Sequence, residues 1–213
     1  MELHLPELSK LLLFCGATMA LLIVPGPAVL FIVARGISQG RLAAFVSVLG
    51  VALGSLVHVI AAVVGLSALV TSSVLAFSVV KYVGAAYLIY LGVVTLLKKR
   101  QTADNPQIEA KSLRRLFVDG IVVNVLNPKT ALFFLAFLPQ FADPAHFTEQ
   151  ALLLGAIFVV LAILSDGTYA MVSGSLGHVL RGQPRFMAAQ RWFTGGVFIG
   201  LGALTALSGN GKK

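Results

Sequence analysis

Two apolar stretches, each long enough to cross a bilayer, are interrupted at their centres by proline, and this constrains the fold more than anything else in the chain. The first covers residues 11–34 and contains Pro25-Gly26-Pro27; the second covers 117–138 and contains Asn127-Pro128-Lys129. Proline has no N–H, and its ring collides with the carbonyl four residues back. Pro25, Pro27 and Pro128 therefore leave the carbonyls of Leu21, Ile23 and Asn124 without helical partners. In hydrocarbon an unpaired backbone group costs on the order of several kcal/mol, so such breaks persist only where other helices, polar side chains or a water-lined cavity receive the freed groups. Interrupted apolar segments at matching positions of two halves point to a shared polar site at the membrane midplane.

Composition agrees with a membrane setting. Hydrophobic residues make up 58% and charged residues 11% of the chain, with a mean hydropathy of +0.93, against about 25% charged residues in ordinary soluble domains. The net charge of +8 is carried in short links, which reads as a topology signal and not as a nucleic-acid surface. Cys15 stands alone, so no intrachain disulfide forms. The N-terminal residues lack a basic region and the run that follows is too long for a signal-peptide core, so it is expected to remain as a span.

Six apolar runs are visible, at 11–34, 42–66, 82–97, 117–138, 151–173 and 192–207, separated by links at 35–41, 71–81, 98–115, 140–150 and 176–191. If the spans alternate, the links after the first, third and fifth share one side and carry eleven of the sixteen basic residues, including Arg35, Arg41, Lys98, Lys99 and Arg100. The positive-inside rule makes that side cytoplasmic and puts both termini outside.

An internal repeat accompanies this pattern. Lys81-Tyr82-Val83-Gly84-Ala85 through Leu91-Gly92 aligns with Arg191-Trp192-Phe193-Thr194-Gly195 through Leu201-Gly202, and Pro25-Gly26-Pro27-Ala28-Val29-Leu30-Phe31 aligns with 127–133. Three spans per half make the two repeats inverted in the membrane. The expectation is an all-α integral membrane protein: one membrane domain over 1–213, with six transmembrane helices in two inverted three-helix repeats (11–97 and 117–207), a cytoplasmic loop at 98–116, and the first and fourth helices broken at midplane. Gly50-x-x-x-Gly54 and Gly196-x-x-x-Gly200 are read as close-packing positions of the bundle and not as chemistry.

These features together resemble the LysE/RhtB family of bacterial amino-acid exporters. The resemblance is carried by Pro25-Gly26-Pro27, the Gly40-Arg41 link, the Lys81-Tyr82-x-Gly84-Ala85-x-Tyr87-Leu88 span, and Asn124-x-x-Asn127-Pro128-Lys129 followed by Phe137-Leu138-Pro139-Gln140-Phe141. It covers nearly the whole chain. It implies a bacterial inner-membrane exporter of amino acids or related small molecules, driven by proton antiport and working without a cofactor.

For the site itself, Asp166 is the one acidic residue well inside an apolar run, about 6 Å from the middle of the fifth span. A carboxylate there costs about 2.5–3.5 kcal/mol on insertion scales, so it is expected to face the bundle interior. It suits a proton carrier or a seat for a substrate ammonium group, or else pairs structurally with Lys129. Lys129, beside the second break, either holds a substrate carboxylate or neutralises Asp166 and bonds freed carbonyls. Asn124, Asn127 and Pro128 surround the same gap, with backbone repair and substrate contact both open. At the first break Gly26 allows close approach, and the half-helix starting near Pro27 aims N–H groups inward, a seat for an anionic group; Pro25 completes the set. His58 falls near the repeat position of Asp166 and is read either as a satisfied core residue or as a proton relay. Tyr169, three residues after Asp166, is placed to donate to it or simply to pack.

No phosphate loop, metal spacing or nucleophile elbow is present, which argues against enzymatic and ATP-driven chemistry. The expected partners are a small zwitterion, protons and membrane lipid, with self-association into a homo-oligomer left open and no nucleic acid. A passive channel, a membrane-embedded enzyme and a scaffold are the rival readings.

Overall fold

A computed structural model describes residues 4–72, 74–97 and 110–181, together with positions 192, 196, 199, 200, 203, 206 and 207. Seven α-helices run in the order α1 (Leu8–Ile23), α2 (Pro27–Gln39), α3 (Arg41–Ser72), α4 (Val74–Leu97), α5 (Leu113–Val125), α6 (Pro128–Leu132) and α7 (Phe147–Arg181). The described positions beyond 191 are helical as well, and no strand occurs among the described residues. The loop expected at 98–116 and the sixth span expected at 192–207 fall largely outside them.

The first and fourth spans are broken where the prolines require it. α1 and α2 meet at 50°, and α5 meets the 128–140 segment at 47°. Pro27 and Pro128 each occupy the first turn of the half-helix that follows, where the missing N–H has no intrahelical acceptor to lose. Each bent pair is long and apolar enough to make one broken span, and 41–65 and 144–173 are each long and apolar enough to cross alone. With α4 and the helical positions beyond 191 in the third and sixth places, the chain is an all-helical multi-pass membrane protein. Large apolar side chains such as Leu12, Leu49, Ile60 and Leu164 are exposed on the outer helix faces, as a lipid-facing surface demands.

Two local features depart from the reading by hydropathy. The link expected at 71–81 is helical at every described position, because α4 already begins at Val74. A serine hydroxyl can return to its own helix's carbonyls, so Ser78 does not end α4, although α3 ends at Ser72. The fourth span leaves α-geometry at 133–137 in a π-helical turn, where the Leu138 N–H reaches the Phe133 carbonyl. Pro139, next in the chain, has no N–H for Leu135, and the register widens to accommodate it.

The π turn directs Phe133, Phe134 and Phe137 inward. Phe133 and Phe134 meet Phe158 of α7 with ring centroids 5.1 and 4.7 Å apart, and Phe137 meets Phe141 at 4.8 Å. On the other side of the breaks α3 and α5 are in backbone contact. A methyl group on Gly50 would stand 2.1 Å from the Phe117 carbonyl oxygen, and one on Gly120 would stand 2.8 Å from that of Ser47. Only glycine permits this approach, and it brings the midsection of α3 against the second break. Gly40, with φ of 85°, closes α2 and turns the chain directly into α3.

Candidate functional site

Every carbonyl freed by the prolines has found a donor, and the donors define the site. The Leu21 carbonyl accepts the Val24 N–H at 3.2 Å. The Ile23 carbonyl accepts the hydroxyl of Tyr169 at 2.7 Å. The Val24 carbonyl accepts the ammonium of Lys129. At the second break the Asn124 carbonyl accepts the Asn127 N–H at 2.9 Å and bonds the His58 ring Nε2 at 2.9 Å. Tyr169 thus serves the first break and does not donate to Asp166.

Removing the Tyr169 hydroxyl strips the Ile23 carbonyl of its partner, worth about 1–2 kcal/mol. Tyr169→Phe is expected to lower the thermal midpoint of the purified protein by roughly 4 °C, read by heating it in detergent; an unchanged midpoint would mean that this carbonyl is satisfied without the tyrosine.

Asn124 is the hub of the second break. Its buried amide donates to the Val51 carbonyl at 2.7 Å and the Ser55 hydroxyl at 2.8 Å. Its Oδ1 accepts from the Thr130 hydroxyl at 3.0 Å and from Asn127 at 3.4 Å. Two donors and two lone pairs are all that a carboxamide offers, and all four are used. Asn127 in turn caps α6, its Oδ1 accepting the Lys129 N–H at 3.1 Å. His58 stacks on Phe134 with centroids 6.2 Å apart and planes 8° from parallel.

Between the two breaks lies a cavity of about 30 Å³. Gly26 and Ala28 line it from the first break, Asn127, Lys129 and Thr130 from the second, and Asp166 from α7. Lys129 and Asp166 are buried and, among the described residues, are its only ionisable lining residues. They do not form a direct ion pair, and Asp166 has neither a hydrogen-bond nor an ion-pair partner among the described residues, although it and Lys129 line the same space. Pro25, Pro27, Pro128 and His58 are not among the lining residues. The prolines shape the backbone around the cavity, and His58 serves the Asn124 carbonyl behind it.

Three contributors escape a reading by sequence: the Val24 carbonyl, Ser55 and Thr130. Thr130 lies one helical turn after Asn127, and Ser55 is a polar residue inside an apolar run, signals that were legible in principle. The pairing of Val24 with a lysine 105 positions away left none.

A second polar cluster closes the end of the bundle that carries the basic links. Asp119 of α5 pairs with Lys111 at 2.6 Å and Arg115 at 3.0 Å. The Gln39 side chain at the end of α2 grips Lys111 through both its backbone groups, at 2.7 and 3.0 Å.

The profile of the LysE type translocators matches residues 19–209. A homoserine/homoserine lactone efflux protein of Salmonella typhimurium is 32% identical over 183 residues, which cover 85% of this chain and 88% of the relative. An uncharacterized membrane protein of Bacillus subtilis, YrhP, is 29% identical over 94% of this chain and all of its own length, and one of Vibrio cholerae is 29% identical over 86% of this chain and 90% of its own. No solved structure matches.

Proposed function

Since the chain belongs to the LysE type translocator family, we propose that it exports amino acids or amino-acid-like small molecules from the bacterial cytoplasm across the inner membrane, by proton-coupled antiport and alternating access. The observation that carries this is the enclosure of one lysine and one carboxylate in a cavity built from both helix breaks. Ligand sites are commonly about 300–1,000 Å³, so a cavity of about 30 Å³ admits substrate only when the two broken helices part. The aromatic layer around Phe133 and the Asp119 cluster are the natural barriers to open alternately.

In this reading the substrate binds between the breaks. Its carboxylate meets the N–H groups that open α2 behind Pro27, or Lys129; its ammonium group meets the freed carbonyls and Asp166. Asn124, Asn127 and Pro128 hold the second break in shape, Pro25 and Gly26 the first. Asp166 exchanges the ammonium for a proton, with His58 available as a relay. Both termini lie outside the cell.

The test is efflux from proteoliposomes loaded with a panel of amino acids, homoserine and homoserine lactone among them, with and without an imposed pH gradient. Efflux of particular members that accelerates with the gradient is expected. Gradient-independent leakage of all of them would favour a channel instead.

A further inference from the structure

We propose that Lys129 is a built-in stand-in for the substrate: its ammonium fills a primary-ammonium seat made by the Val24 carbonyl beside Asp166, and a substrate enters by displacing it. The inference deepens the exporter reading and rests on it for the identity of the displacing ligand.

The seat is independent of the lysine that fills it. Val24 ends α1 in an extended conformation, so its carbonyl belongs to the negative end of that helix and has no backbone donor. Asp166 lines the same cavity and has no hydrogen-bond partner of its own among the described residues. A lysine retained only to neutralise Asp166 would be expected to contact it. Lys129 instead donates to a neutral carbonyl and leaves the oxygens of the carboxylate to another donor. One ammonium group carries three N–H donors and can serve carbonyl and carboxylate together.

The route of the side chain supports the same conclusion. A methyl group on Gly26 would stand 3.1 Å from Lys129 Cδ and 3.6 Å from Nζ, so the lysine lies across the first break against Gly26, where an added methyl would crowd its stem. With it there, the remaining cavity of about 30 Å³ holds something of the size of a water molecule. Once displaced, the same ammonium is free to meet the carboxylate of the incoming zwitterion. The swap therefore selects ligands that carry a primary ammonium group with a carboxylate within reach. Quaternary amines, with no N–H, have nothing to offer the seat.

The experiment empties the seat and refills it. Thermal unfolding of purified Lys129→Ala in detergent is followed in ethylammonium chloride, tetramethylammonium chloride and sodium chloride at equal concentration. Ethylammonium is expected to raise the midpoint by about 4 °C, as a ligand at roughly ten times its dissociation constant does; the other two salts leave it unchanged, and the wild type, its seat occupied, responds to none. A Gly26→Ala variant, which crowds the lysine stem, is expected to gain the same selective response. Indifference of both variants to ethylammonium, an equal response to all three salts, or an equal response in the wild type overturns the proposal. So does failure to recover folded Lys129→Ala with ethylammonium present throughout. Because nothing here depends on transport, a failed seat alongside successful export would discard the stand-in alone, and a selective seat in a protein that exports no panel member would discard the exporter reading alone.

Discussion

Replacing Asp166 with asparagine is expected to abolish gradient-driven export while leaving the protein folded. The substitution is nearly isosteric, and Asp166 has no hydrogen bond among the described residues to lose, so the thermal midpoint is expected to stay at or above that of the wild type. The charge has no substitute among the described residues, of which Asp166 alone is acidic and lines the cavity. Losing one partner of a buried charge pair costs about 2–5 kcal/mol, or roughly 30- to 5,000-fold in the affinity for a substrate ammonium. On the proposed mechanism the proton-exchanging group goes with it. Efflux from proteoliposomes should fall to the level of protein-free vesicles with or without the gradient. Full gradient-driven efflux in a folded Asp166→Asn protein would remove this carboxylate from both roles and return it to a structural one.

The helix breaks were legible because their cause is local. A proline removes its own N–H whatever surrounds it, so the bends of 50° and 47° could be placed from Pro25, Pro27 and Pro128 alone. The partners of the freed carbonyls were not legible, because they arrive from elsewhere in the chain. Tyr169 illustrates the difference. Its spacing of three from Asp166 suggests a contact along one helix, yet its hydroxyl reaches Ile23, 146 positions away. The same holds for His58, whose partner lies 66 positions on; repeat symmetry placed it near a proton path, while the structure puts it against the Asn124 carbonyl. Hydropathy likewise located the third span but shortened it, since Ser78 and Lys81 lower the local average although α4 runs through both. The close approach of α3 and α5 was anticipated at Gly50 and Gly54 but not at Gly120, which belongs to no spaced pair. Backbone contact needs a gap on both faces, and a single sequence displays only one at a time.

Asn124→Leu is expected to be the most destabilising single substitution at the second break. Leucine keeps the branched shape of asparagine but is bulkier, so crowding adds to a loss that is mainly one of hydrogen bonding. The Ser55 and Thr130 hydroxyls, the Asn127 amide and the Val51 carbonyl each lose a partner in a buried setting. Each group left unpaired costs about 1–3 kcal/mol, and although Ser55 and Val51 retain a weaker bond to each other, a total of about 4–6 kcal/mol approaches the whole stability of a typical domain. Little folded protein should survive extraction in detergent. His58→Phe is the informative comparison, because it removes one bond to the Asn124 carbonyl, worth about 1 kcal/mol, and keeps an aromatic ring over Phe134. The expected order is a severe loss of folded protein for Asn124→Leu and a slight one for His58→Phe, with export retained in the latter. Stable His58→Phe protein that has lost gradient-driven export would instead make the ring a proton relay. The contrast also bears on which break moves. The second is held by all four bonds of one carboxamide, two of them to Val51 and Ser55 of α3, whereas the first is held by Tyr169 and, on the proposal above, by a lysine that substrate can draw away. Opening is therefore expected to begin where α1 meets α2.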